Sequence, residues 1–177
     1  MRASPPVLVQ PYSDHAAMNV LSRLDVMDHI EAEQMRGRPI SHLELFADWR
    51  AIEPARVVSL VLSTGSEAAP QPFAVLGLSN TGQAGVAQAA LLARDHKKFR
   101  GALIGAARHI RAQMPVFCAD NGIYRIEARS WAGHPRAAQF LRACGFIHET
   151  DMPGFGGAAA TMFSQFAWTH PTPEKET

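Results

Sequence analysis

The sequence predicts an α/β fold: a mixed, mostly antiparallel sheet with helices on both faces. Two observations carry this. Three β-rich apolar runs, at residues 57–62, 73–78 and 85–92, follow one another with Gly-, Ser- and Pro-bearing turns between them. That is the pattern of an antiparallel meander. Segments of helical period flank this block, and strand-like and helical segments alternate after it. The expected order is β-α-α-β-β-β-α-β-α-β-β, in one domain over residues 1–169 with a flexible tail at 170–177.

Each element has a local reason. Val7, Leu8 and Val9 form a short strand closed by Pro11. Ser13 is the expected N-cap of one long helix over 14–35, ended by Gly37 and Pro39. Ser41 followed by Glu44 is a capping-box pattern for a second helix carrying Leu43, Leu45, Phe46 and Trp49. After the meander, residues 95–113 keep a helical period through Phe99, Leu103 and Ile110. Gly101 and Gly105 cost that helix about 1 kcal/mol each relative to alanine. Such a cost is tolerated where backbone must come close to something. Residues 124–129 alternate like a half-buried strand. Pro135 opens a short helix that Gly145 stops, and Phe146 begins another strand. Gly154, Phe155, Gly156 and Gly157 read as a hairpin tip before a last strand over 162–168. Phe140 and Phe146 are expected in the core.

Composition narrows the function. The 177 residues are enough for a sizeable core, and 47% hydrophobic with 19% charged residues is a globular balance. A formal net charge of +1 gives no global field for a nucleic acid. Cys118 and Cys144 make no C-x-x-C pair, which argues against a redox or cysteine-zinc motif and leaves two reduced thiols. No Gly-x-Ser-x-Gly elbow supports a hydrolase. Trp49, Trp131 and Trp168 are too scattered for a base-stacking platform. Residues 1–20 lack a signal-peptide pattern and no apolar run nears a membrane span, so the expectation is a cytoplasmic protein with no membrane partner.

Two segments carry a resemblance. Residues 134–146 form a helix with alanines near its start, ending in Cys144, Gly145 and Phe146. Residues 97–106 place Lys97, Lys98, Arg100, Gly101 and Gly105 at the start of the central helix. With the element order, these resemble the GNAT acyltransferase superfamily. Its late motif commonly opens with Asn, where this chain has His134, and commonly carries Tyr where this chain has Leu141. Arg100 and Gly105 match its pyrophosphate loop, while Leu103 stands where the first motif glycine falls. Acidic positions on the first helix, Asp25, Asp28, Glu31 and Glu33, are similar to those of GNAT-like proteins from bacteriophage and prophage structural clusters.

The resemblance implies a fold with a central splayed strand pair and acetyl-CoA as cofactor. The pyrophosphate would sit on the helix start, where unpaired N–H groups and the helix dipole attract anions. The residues implied are Lys97, Lys98, Arg100, Gly101, Ala102, Ile104 and Gly105. The thioester would lie in the splay, with Leu91 and Leu92 on one side and residues 124–130 on the other; backbone N–H groups there can stabilise an oxyanion. Acyl transfer to an amine needs a base and an acid. Glu127 is the candidate base, its alternative being an ion pair with Arg125 or Arg129. His134 is the candidate acid, its alternative being a helix cap. No metal ligand set is expected. Two functions stay open: an acetyl-CoA-dependent N-acetyltransferase acting on an unidentified amine, or an inactive virion or assembly component that binds other virion proteins in a phage-like particle. A homo-oligomer is compatible with either.

Overall fold

The computed structural model describes residues 6–171. A short strand, β1 (Leu8–Pro11), leads into α1 (Asp14–Leu21), α2 (Val26–Arg36) and α3 (His42–Ile52). The meander follows as β2 (Arg56–Ser66), β3 (Ala69–Asn80) and β4 (Val86–Ala93). Then come α4 (Arg100–Asp120), β5 (Arg125–Trp131), α5 (Ala137–Cys144), β6 (Ile147–Phe155) and β7 (Thr161–Thr169). The strands form one seven-stranded sheet in the order β1-β2-β3-β4-β5-β7-β6. Neighbours are antiparallel except β4 and β5, which run parallel.

The expected fold class is therefore observed, with differences in two of the helices. The long first helix is two helices, because Leu24 leaves the helical path to bridge Arg94 and Asp25 becomes the N-cap of α2. The central helix begins at Arg100 rather than near residue 95. Asp95 adopts a φ of 25°, its carboxylate accepts from Lys98 N at 2.9 Å, and residues 95–99 form a turn instead. The same helix runs through Pro115 to Asp120. The capping box of α3 is present in full, Ser41 and Glu44 each satisfying the other's backbone N–H. Gly145 ends α5 with a φ of 99°, a left-handed position that glycine adopts without strain. Residues 172–177 of the expected tail lie outside the described residues. His170, at its start, is held: its N–H donates to Tyr124 O at 2.8 Å.

Alternation along the strands distributes the helices. Val61 and Val75 pack against α1 and Trp49 of α3. Their neighbours Leu62 and Ala74 point the other way, onto Phe99, Ala102 and Ala106. So α4 lies on the opposite face from α1 and α3. Farther along, Ile126, Ala128, Phe166 and Trp168 pack against α4 and α5. Burying each such large side chain contributes about 1.5–3 kcal/mol. Phe146 is buried, as expected, whereas Phe140 is half-buried and faces a cleft. Cys118 and Cys144 are buried free thiols, pushed by burial up to about 11 and about 12, so neither is a nucleophile. Among the described residues, no helix is long and apolar enough to cross a membrane.

Candidate active site

The parallel pair β4–β5 is joined at three positions, from Val86–Arg125 to Gln88–Glu127. Beyond Gln88, β4 stays with β3 through Ala93, and β5 stays with β7 through Trp131. The strands diverge, and a cleft of about 760 Å³ opens between them. That volume suits a cofactor-sized ligand. Ala89 and Ala90 line it on the β4 side, and their small side chains leave the gap unfilled.

The wide end is spanned by α2. Asp28 Oδ2 accepts from Ala93 N, the last residue of β4, at 2.7 Å. Glu31 Oε2 accepts from Trp131 N, the last residue of β5, at 3.0 Å. One helix therefore satisfies backbone donors on both splayed strands. Asp28 Oδ1 also lies 3.0 Å from Nε2 of both His134 and His96. Burial works against the Asp28 charge, but hydrogen bonds from His134, His96 and Ala93 outweigh it and hold the carboxyl below its usual range. For His96, burial favours the neutral ring, yet Asp28 and Asp25 reverse that and raise its pKa. Glu31 is pushed up to about 7, mainly by burial.

Asp28, His96 and His134 come close enough together to hold a metal ion. The donor chemistry of His134 points elsewhere. Its Nδ1 accepts from Arg136 N at 3.2 Å and from Ala137 N at 3.0 Å. In a neutral imidazole the proton then resides on Nε2, which donates to Asp28 rather than offering a lone pair. A metal-bound histidine would present Nδ1–H toward those two backbone donors. The cluster reads as a His–Asp–His hydrogen-bond network in which His134 also caps the start of α5.

The residues singled out from the sequence fall into three groups. Leu91, Leu92, Arg100, Ile104 and His134 line the cleft. Lys97 and Lys98 are exposed in the turn before α4; Gly101 and Gly105 are half-buried on α4, and Ala102 is buried in the core. Glu127 occupies the last paired rung before the splay, where its carboxylate accepts from Arg125 Nε at 2.8 Å. Arg125 also pairs with Glu149. Sequence reasoning did not single out His96 or Arg56, which also line the cleft. The acidic positions of the first helix were noted without their partners. Asp28 and His134 are separated by 106 residues, a pairing that no local pattern reveals.

No protein-family model matches the sequence, and no curated protein is similar to it in sequence. Solved structures are similar in fold. A GNAT-family acetyltransferase from Bacillus anthracis superposes with a TM-score of 0.68 at 9% identity, over 96% of this chain and 97% of that one. Vibrio cholerae spermidine N-acetyltransferase, solved with CoA and spermine, gives 0.65 at 10% identity, over 93% and 95%. The yncA protein of Salmonella typhimurium, solved with its cofactor acetyl-CoA, gives 0.62 at 10%, over 96% and 98%. At these identities the likeness concerns architecture. The chain has the fold of the GNAT acetyltransferases.

Proposed function

We propose that the protein is an acetyl-CoA-dependent N-acetyltransferase. The observation that carries this reading is the splay, a cleft opened between two parallel strands beside the start of a long helix. The N-cap residue of that helix, α4, is Phe99, which has no side-chain acceptor to offer, so the first-turn N–H groups of Arg100, Gly101 and Ala102 lack a side-chain cap. They would receive the pyrophosphate, with Arg100 in the cleft and Lys97 and Lys98 adjacent. Ile104 and Gly105 stand on the next turn. Acetyl-CoA supplies, when bound, an acetyl group activated as a thioester.

The strand geometry supports an oxyanion donor. Both Ala93 N and Ala93 O are bonded away from β3, to Asp28 and Asp25 N. Hydrogen-bonding groups alternate sides along a strand, so the N–H of Leu91 is directed into the gap, while Leu92 bonds toward β3. Glu127, at the vertex, is the group assigned to take the ammonium proton. Leu141 has no proton to give. The acid is therefore assigned to the His134–Asp28–His96 network, in which Asp28 and Asp25 raise the His96 pKa against the effect of burial.

Thiol release from acetyl-CoA, measured over a panel of primary amines, tests the reading. Glu127→Gln should lower turnover roughly 100-fold or more. Unchanged turnover would overturn the assignment of the base. The named neighbours are acetyltransferases rather than virion components. A folded chain that neither binds nor consumes acetyl-CoA would leave the fold as a protein-binding scaffold.

A further inference from the structure

Four buried polar atoms have no hydrogen-bond partner among the described residues, and three lie in one place: Tyr12 Oη, Trp49 Nε1 and Arg56 Nε. All three groups are donors. The Arg56 guanidinium lies over the Trp49 ring, 4.1 Å from its centroid. Tyr12 packs against the same cluster as Trp49, with the Asp14 carboxylate beside its hydroxyl. The Arg56 side chain is 4% exposed. Its nearest carboxylate oxygen, Glu53 Oε1, is 3.9 Å away and already accepts from Ser59 Oγ at 2.7 Å. A buried cation with so little compensation is costly unless something completes its pairing.

The fold makes room for this arginine and aims it at the site. Any side chain at Gly77 would collide with Arg56 Nη1, so the glycine in mid-strand is what admits the guanidinium. Gly77 pairs with Ala90 of β4. The guanidinium therefore stands about one strand spacing, roughly 5 Å, from the strand that borders the splay. It is on the α3 face, opposite α4, so a ligand held there would approach the splay from the side away from the proposed pyrophosphate seat. Arg56, Trp49, Gln88 and Ala90 all line the cleft.

We infer that Arg56 docks a carboxylate, and that the acceptor taken from this face is an amine that also carries a carboxylate, as a free amino acid does. The word acceptor rests on the acetyltransferase reading; the anion site does not. A planar guanidinium fork matches a carboxylate with two parallel hydrogen bonds. The one charged group beside Arg56 is the Glu53 carboxylate, and no second cation is among the groups that shift its pKa. This favours a monoanion over a phosphate dianion.

The test is binding, without turnover. The twenty L-amino acids and their carboxamides are titrated into the full chain, and the Arg56 Nε–H resonance is followed by NMR. At least one amino acid should shift that resonance and bind roughly 10-fold or more tightly than its own amide, because the amide leaves the guanidinium unpaired. Arg56→Met should abolish the difference between acid and amide, and Arg56→Lys should reduce it. Should either variant fail to fold, the acid–amide comparison in the parent decides alone. Equal affinity for acids and amides, or no response of Arg56 to any amino acid, would make the residue a structural strut beneath Trp49. Inorganic phosphate binding more tightly than every amino acid would overturn the choice of carboxylate. Carboxylate binding without acetyl-CoA binding would keep this inference and sink the acetyltransferase reading.

Discussion

Two buried polar clusters line the same cleft, and they differ in one respect. At the wide end, Asp28 is bonded by Ala93 N, His134 and His96, while His134 is engaged at both ring nitrogens. On the α3 face, Arg56 Nε and Trp49 Nε1 are buried donors that no described residue accepts. A satisfied buried network fixes structure, because each member would be expensive to expose alone. An unsatisfied one in a native fold calls for a partner. The contrast separates what holds the splay open from what recognises a ligand within it.

The largest expected effect breaks the first cluster. Asp28→Ala strands two histidines and a strand-end N–H, and should cost about 3–5 kcal/mol in urea unfolding. A loss under about 1 kcal/mol would show that α2 does not hold the strand ends. Arg56→Met should behave in the opposite way, leaving stability unchanged or raising it by about 1–4 kcal/mol, since it replaces an underpaired buried charge with an apolar chain. Destabilisation as large as that of Asp28→Ala would erase the contrast.

Titration sharpens it. Glu31 has its pKa raised from 4.5 to about 7, so its folded state holds the proton more tightly than the unfolded state. Stability from that group is complete below pH 4.5 and is lost as pH rises toward and through 7. His96, raised above 6.5, likewise loses its contribution as pH rises through its folded pKa. Asp28, lowered from 3.8, loses its contribution only as pH falls below that value. The wide end should therefore be firmest in mild acid. Glu31→Gln keeps an acceptor for Trp131 N, and should flatten the decline between pH 5 and 8 by up to about 1.4 kcal/mol per pH unit. Parallel stability curves for parent and variant would refute this. The smallest effect is a control outside both clusters: Ser41→Ala should cost about 1 kcal/mol through the α3 cap and leave ligand binding alone.

What could be read from the sequence was local. The Ser41–Glu44 box and the Gly145 stop are complete within a few residues, and both stand as expected. The break between α1 and α2 was hidden because its cause is a bridge from Leu24 to Arg94. The late start of α4 was hidden because Asp95 takes a backbone conformation rare for a residue other than glycine. His134 was noticed, but Asp28, its partner, lies on an element that only the tertiary fold brings near. Arg56 left one trace in the sequence. A glycine in the middle of an otherwise β-rich strand, Gly77, marks a close approach, and the group that approaches is the guanidinium.

The central claim is that the splay and the start of α4 together hold acetyl-CoA, and calorimetric titration of acetyl-CoA into the full chain tests it most directly. The account predicts roughly micromolar binding. Arg100→Ala should weaken it and reduce its salt dependence, because a phosphate-facing charge is gone. A folded Gly105→Leu variant should bind far more weakly, its added bulk standing where the backbone must approach the cofactor. No heat at millimolar acetyl-CoA, or a folded Gly105→Leu variant that binds as tightly as the parent, would contradict it.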